Sequence, residues 1–212
     1  MELIEDPSIE LVENSSGETT LLIGGEQAMQ AWERPLMWEM ADMLCQYGSE
    51  FLEAGLGLGL SALRIAGNPG TRRHVVVEKY EKVIQLFRDR HPVLPASLEI
   101  VHADFREYVR ELEPEGIDGI FFDPHAPNGQ RGTDALWAGV VQSVVRALRV
   151  GGVVIPFFSE RPVLHERFAP AFRRVIVERR SFRAYPETNY LTTQEGTAYI
   201  QCFIKTAEPS AG

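Results

Sequence analysis

The chain has 212 residues, 44% hydrophobic and 24% charged, which is the make-up of one ordinary globular domain, and no apolar run approaches the ~20 residues that cross a bilayer. The net charge of -9 sits at one end: residues 1–50 hold eleven acids against the single base Arg34, so they carry -10 and the remainder +1. A pI near 5.1 opposes nucleic-acid binding, which needs Lys and Arg to displace counterions, and leaves a small or cationic partner.

In chain order, residues before about 18 lack periodicity and are expected to be disordered, and the acidic opening does not resemble a signal peptide. Residues 26–47 have helical period. If the helix continues past Pro35, Met29, Glu33, Met37, Met40 and Leu44 share one face, with Arg34, Glu39 and Asp42 opposite. Glu33 then interrupts an apolar stripe. A buried carboxylate is costly without a partner, so Glu33 needs a donor or cation, supplied by the fold or by a ligand; a break at Pro35 would change its facing.

From residue 51 onward, short β-branched runs alternate with helical segments, the pattern of a parallel sheet covered by helices. Strands are predicted at 50–54, 74–78, 98–102, 119–123 and 152–158, and helices at 59–66, 80–90, 106–112 and 134–148. A further helix is expected at 164–172, giving five strand–helix units. The runs 174–182 and 197–205 have no helix between them and should pair antiparallel. Cys45 and Cys202 stand alone, with no Cys/His cluster for a zinc site or disulfide framework, so no metal is expected and a reducing cytoplasm is the expected location.

The segment Phe51-Leu52-Glu53-Ala54-Gly55-Leu56-Gly57-Leu58-Gly59-Leu60 is a strand running into a glycine turn and then a helix. Glycines let a ligand approach the backbone, while the helix start offers unpaired N–H donors. The dinucleotide fingerprint GxGxxG requires glycine at position 60, which is Leu60; the spacing here is GxGxG. Glu53 would repel a pyrophosphate but suits a cationic amino group, and both features fit S-adenosyl-L-methionine. Glu78 closes the second strand, where a carboxylate accepts from both ribose hydroxyls. Asp104 ends the third, where a short acid can take the adenine amino group. Each alone could be a turn or a helix cap; three at C-terminal strand ends fit a ligand edge.

Glu53 to Gly59, Glu78, Asp104 and Asp123 together resemble the successive strand-end motifs of class I S-adenosylmethionine-dependent methyltransferases. The resemblance implies an α/β, Rossmann-like fold: a seven-stranded, mostly parallel sheet with a reversed final strand, helices on both faces and an N-terminal helical lid. A single domain over 1–212 is expected, with a helical cap over about 1–48 and a core over about 49–206. On the same grounds Met29, Met37, Glu53, Gly55, Leu56, Gly57, Leu58, Gly59, Leu60, Glu78, Lys79, Tyr80, Ala103 and Asp104 are the expected cofactor residues.

Within that superfamily, Met29-Gln30-Ala31-Trp32-Glu33-Arg34-Pro35-Leu36-Met37 resembles the segment before the glycine turn in the guanidinoacetate N-methyltransferase family and its arginine-methylating relatives. The resemblance implies that Met29 and Met37 line the cofactor site and Glu33 holds a substrate guanidinium. Asp123, in Phe122-Asp123-Pro124-His125, would be the second guanidinium ligand and the base. The positions matching the family's carboxylate-binding residues are Ser159 and Glu160; a carboxylate at Glu160 would repel guanidinoacetate and favour arginine or an arginine-like compound as substrate, with S-adenosyl-L-homocysteine as the other product. A homodimer is compatible with this reading; nucleic acid and membrane partners are not expected.

Other readings fit less well. Asp123-Pro124-His125-Ala126 lacks the second proline and the stacking aromatic of base methyltransferases. The two glutamates of protein arginine methyltransferases and the Asp-Asn pair of catechol-type enzymes are missing from the matching loops. His125 in a Pro- and Gly-containing loop reads as a surface residue or a hydrogen-bond donor. A silent adenosylmethionine-binding subunit would be expected to lose Glu33 and Asp123, both of which are present; an aminopropyl-transferring relative is the other alternative.

Overall fold

The structure is a computed structural model and describes residues 7–14, 17–125 and 134–207. Its centre is a seven-stranded sheet built from β4 (Glu50–Ala54), β5 (Arg73–Glu78), β6 (Leu98–His102), β7 (Ile117–Phe122), β8 (Leu148–Pro156), β9 (Arg174–Arg183) and β10 (Glu195–Ile204). The spatial order is β6-β5-β4-β7-β8-β10-β9, with only β10 reversed. This is the mostly parallel Rossmann-like sheet expected from the alternation, and the last two strands do form the antiparallel hairpin.

Alternation along β4 divides the core. Phe51 joins an apolar cluster with α1 (Arg34–Leu44), α2 (Leu60–Ala66) and α3 (Glu81–Arg90), whereas Leu52 and Ala54 join a second one with α4 (Phe105–Glu111) and α5 (Asp134–Ala147). At the N-terminal strand edge the buried Asp118 carboxylate accepts from the Ser49 and Glu50 amides at 2.6 and 2.9 Å and pairs with Arg149. That edge is tied shut, and the opposite edge carries the cavity.

The N-terminal region departs from expectation. β1 (Ile9–Glu13), β2 (Thr19–Ile23) and β3 (Glu26–Gln30) form a three-stranded antiparallel sheet, so residues 9–13 are ordered and residues 26–30 are strand. A short 3-10 turn, Ala31–Glu33, links β3 to α1. The expected helix over 26–47 therefore exists only from Arg34, with Pro35 in its first turn, where a missing N–H costs nothing. The helical lid is half sheet. Met37, Met40 and Leu44 share the buried face of α1, but Met29 and Glu33 reach the interior from β3 and the turn. The helix expected at 164–172 is also absent, save for a single 3-10 turn at Ala169–Ala171; Pro170 within the run cannot donate to a helical ladder.

Candidate active site

β4, β5 and β7 end beside a cavity lined by Gly55, Gly57, Glu78, Asp104, Asp123 and Met29, among others. The turn after β4 is left-handed at Gly55 (φ 88°) and Gly57 (φ 52°). A Cβ on Gly55 would lie 2.7 Å from the Asp123 carbonyl oxygen, and one on Gly57 would lie 2.7 Å from Met29 Sδ. Glycine is thus required by conformation and by contact: the exit of β7 and the end of β3 both press on the turn. Met29 Sδ accepts from the Leu58 amide at 3.2 Å, which ties the N-terminal sheet to the turn.

Glu78 is 6% exposed and braces the turn from below. Its Oε2 accepts from the Leu56 amide at 2.8 Å and its Oε1 from the Tyr80 amide at 2.9 Å. Burial raises its carboxyl, and these backbone donors pull it back. Each oxygen keeps lone pairs beside the cavity, so the carboxylate can accept from a diol while holding the loop. Glu78→Ala is expected to weaken adenosylmethionine binding by ~1 to 3 kcal/mol, the loss on deleting one partner of a buried hydrogen-bonded group. Calorimetric titration with the cofactor checks it; an unchanged affinity would remove Glu78 from the site.

Lys79, Tyr80 and Asp104 also line the cavity. Asp104 caps α4 through the Arg106 amide at 2.8 Å and pairs with the Arg106 guanidinium, which holds its carboxyl below the usual range. The capping and ligand readings of Asp104 thus coexist. Ala103 is not in the cavity wall; its amide donates to the Glu78 carbonyl at 3.0 Å. Met37 and Leu56 are core residues, 1% and 0% exposed, and Leu58, Gly59 and Leu60 face a separate groove beside α3.

Glu53 is placed differently from expectation. It is 1% exposed, does not line the cavity, and points across the sheet to Ser61, whose hydroxyl donates to it, and to His74, whose Nε2 lies 3.0 Å away. Both partners come from outside the glycine motif, and His74 is 0% exposed. The carboxylate braces the first turn of α2 through Ser61, and its buried Oε2 has no hydrogen-bond partner among the described residues.

Of the two acids matched to the substrate, Asp123 lines the cavity and Glu33 does not, although its charge reaches Asp123. Glu33, 2% exposed, accepts from the Gln30 amide and the Tyr190 hydroxyl, both at 2.6 Å on Oε1. Burial pushes its carboxyl up to about 7 against these two donors. Asp123 lines the cavity at the end of β7, its amide held by the Ala54 carbonyl at 3.2 Å. Burial, then the charges of Glu33 and Glu53, hold its carboxyl well above the ordinary carboxylate range. Ser159 and Glu160 stand apart. Ser159 is fixed by backbone bonds to Tyr199, and the Glu160 carboxylate is taken by Thr192 and Thr193, so neither lines the cavity.

Tyr190, the side-chain partner of Glu33, carries no signal in the sequence. Tyr190 stacks on Trp32 at 6.4 Å between ring centroids, and Trp32 also packs against Phe182 and Phe158. The pairing of Tyr190 with Glu33 spans 157 positions, which no local pattern signals. His125, expected as a surface residue or a hydrogen-bond donor, lines the cavity, with its buried Nε2 unpartnered among the described residues.

Comparison with known proteins agrees with this geometry. Solved structures similar to the chain include the spermidine synthase of Thermotoga maritima (18% identity, 95% of this chain and 70% of that one, TM-score 0.71). A spermidine synthase in complex with the transition-state analogue AdoDATO is similar at 18% identity, over 97% and 73%, TM-score 0.73. A probable spermidine synthase from Corynebacterium glutamicum follows at 18%, over 96% and 79%, TM-score 0.65. At these identities the likeness is one of fold. The model of the guanidinoacetate N-methyltransferase family matches residues 10–158, more than two thirds of the chain, including the β3 to α1 segment, the glycine turn, Glu78, Asp104 and Asp123. The chain therefore belongs to the guanidinoacetate N-methyltransferase family, whose chemistry is that of a transferase with an adenosylmethionine-type cofactor.

Proposed function

We propose that the protein is a cytoplasmic enzyme that transfers the methyl group of S-adenosyl-L-methionine to a guanidino nitrogen of a small molecule, arginine or an arginine-like compound. The observation that carries this reading is the pair of buried carboxylates, Asp123 in the wall of the glycine-turn cavity and Glu33 behind that wall, close enough for its charge to act on Asp123. Two acids match the planar donor fork of a guanidinium, and a cation entering between them relieves both their desolvation and their mutual repulsion. Glu160 no longer argues against guanidinoacetate, because its carboxylate is occupied by Thr192 and Thr193; that compound stays within the proposed class.

The cavity residues fit the cofactor: Glu78 for a ribose diol, Asp104 for the adenine edge, and Met29 and Gly57 around the chain bearing the sulfur. When bound, it supplies an electrophilic methyl group on a sulfonium. A guanidinium is a poor nucleophile because its charge is delocalised and its pKa is ~12 or above. Glu33 and Asp123 hold the charge on the nitrogens they face, and Asp123 accepts the proton from the nitrogen that takes the methyl group. With the cofactor bound, its methyl group would pass to that nitrogen as the sulfonium becomes a neutral thioether, and Asp123 would take the proton.

Affinity for the cation should depend on pH with a defined sign. Below about 7 the free Glu33 carboxyl is protonated, so a guanidinium must expel that proton; above it the acid is already charged. Binding of arginine, agmatine or guanidinoacetate should therefore tighten as pH rises through about 7, with proton release below it. Calorimetry in buffers of different ionisation enthalpy measures both. Binding of putrescine with no binding of any guanidino compound would favour aminopropyl transfer, the reaction of the spermidine synthases that share the fold.

A further inference from the structure

The connection between β9 and β10, residues 184–194, folds back onto the N-terminal sheet and Glu33. Its base is closed by the Ala184 amide donating to the Gln194 carbonyl at 2.7 Å. Before Tyr190 it docks on the N-terminal sheet: the Thr188 hydroxyl donates to Gln30 Oε1 at 2.5 Å, and the Asn189 amide to Gln27 Oε1 at 2.9 Å. After Tyr190 its fastening passes to a different element. The Thr192 amide lies 2.9 Å from Glu160 Oε2 and 3.0 Å from Oε1, the Thr192 hydroxyl donates to Oε2 at 2.6 Å, and the Thr193 amide to the same oxygen at 3.3 Å. Glu160 follows directly on Ser159, which is fixed to Tyr199 by two backbone bonds of 3.1 and 2.8 Å. The anchor is therefore rigid at its own base.

We propose that Glu160 is a positioning residue for the substrate site: by clamping Thr192 and Thr193 it holds the connection that carries Tyr190, and through Tyr190 it fixes the carboxylate of Glu33. The Tyr190 hydroxyl is the only side-chain donor on Glu33 among the described residues, and the backbone amide of Gln30 is its other partner on the same oxygen. With Oε1 so occupied, Oε2 is the oxygen free to turn to a cation. If residues 190–193 were released, Tyr190 would keep its stacking on Trp32 but lose the restraint that sets its hydroxyl on Glu33. A carboxylate suits this task because it can accept from three donors at once, which no neutral side chain of that length does. This inference deepens the guanidino reading and relies on Glu33 holding the substrate.

The test compares Glu160→Ala, Tyr190→Phe and the double variant. Glu160 is partly exposed, so its removal leaves the core packed; S-adenosylhomocysteine affinity reports that the fold and cofactor site are intact. Calorimetry with arginine, agmatine and guanidinoacetate is expected to give about threefold to tenfold weaker binding in each single variant, the span of one hydrogen bond. The double variant should be no weaker than Tyr190→Phe alone, since a residue acting through another adds nothing once that other is gone. KM should rise more than kcat falls. A ligand-free readout runs beside it: the carboxyl titration of Glu33, faced by Tyr190 and Asp123, followed by infrared or carbon NMR. Its midpoint, about 7, should move up in Tyr190→Phe and, by less, in Glu160→Ala. Losses that add in the double variant, or a Glu160→Ala protein indistinguishable from wild type in both readouts, would overturn the proposal. Absence of guanidino binding to the wild type would instead sink the functional reading, while the Glu33 titration would still decide the role of Glu160.

Discussion

Asp123→Asn is expected to lower the turnover of methyl transfer by on the order of 100-fold or more, the span assigned to a lost general base, with cofactor affinity kept. Asparagine is isosteric, and the position is held by its backbone bond to Ala54, so the cavity wall should not move. What changes is the proton acceptor. Asp123 stands at a rigid strand end beside the glycine turn, where burial and the charge of Glu33 already make its carboxylate eager for a proton. An amide in its place can hold a guanidino nitrogen's proton by a hydrogen bond but cannot take it. Single-turnover transfer with saturating substrate separates this step from binding and product release; a near-wild-type rate would remove Asp123 from the chemistry.

Glu33→Gln is expected to raise the substrate KM by roughly tenfold to a hundredfold, the worth of a charge-assisted hydrogen bond, and to slow turnover as well. The carboxamide oxygen can stay where Oε1 is, accepting from the Gln30 amide and the Tyr190 hydroxyl, so the local fold survives. The amide nitrogen then occupies the place of Oε2, setting donor against donor when a guanidinium arrives. Loss of this clamp also loosens the approach of the reacting nitrogen, which is most productive near ~3 to 3.5 Å from the methyl carbon. Steady-state kinetics over a range of substrate concentrations gives both constants. A KM unchanged from wild type would assign the cation to other residues.

Much of the core was legible because strand and helix periods alternate cleanly from residue 50, and an acid lies at or within two residues of the C-terminal end of each of β4 to β7: Glu53, Glu78, Asp104 and Asp123. The N-terminal third was not. The run 26–30 is a five-residue strand joined to the helix at Arg34 through a three-residue 3-10 turn, so a single helical period swallowed both, and the acidic edge strand Ile9–Glu13 has little apolar alternation to reveal it. Glu33 is buried for a different reason from the one its periodicity suggested, since it enters from a 3-10 turn rather than a helix face. Glu53 reads as a ligand from its place before the turn, whereas the structure buries it beside Ser61 and His74, outside the cavity wall. Tyr190 and the true partners of Glu160 depend on contacts 157 and 32 positions apart, which only the closed sheet brings together.

The central claim is that this family member methylates a small guanidino compound between Glu33 and Asp123. It is tested most directly by incubating the protein with methyl-labelled S-adenosylmethionine and a panel of guanidino compounds, catechols and polyamines, and locating the label in the product by mass spectrometry and NMR. The account predicts label on a guanidino nitrogen of arginine, an arginine analogue or guanidinoacetate, and its loss in Asp123→Asn. Label on a catechol oxygen or a polyamine amine, with every guanidino compound inert, would contradict it.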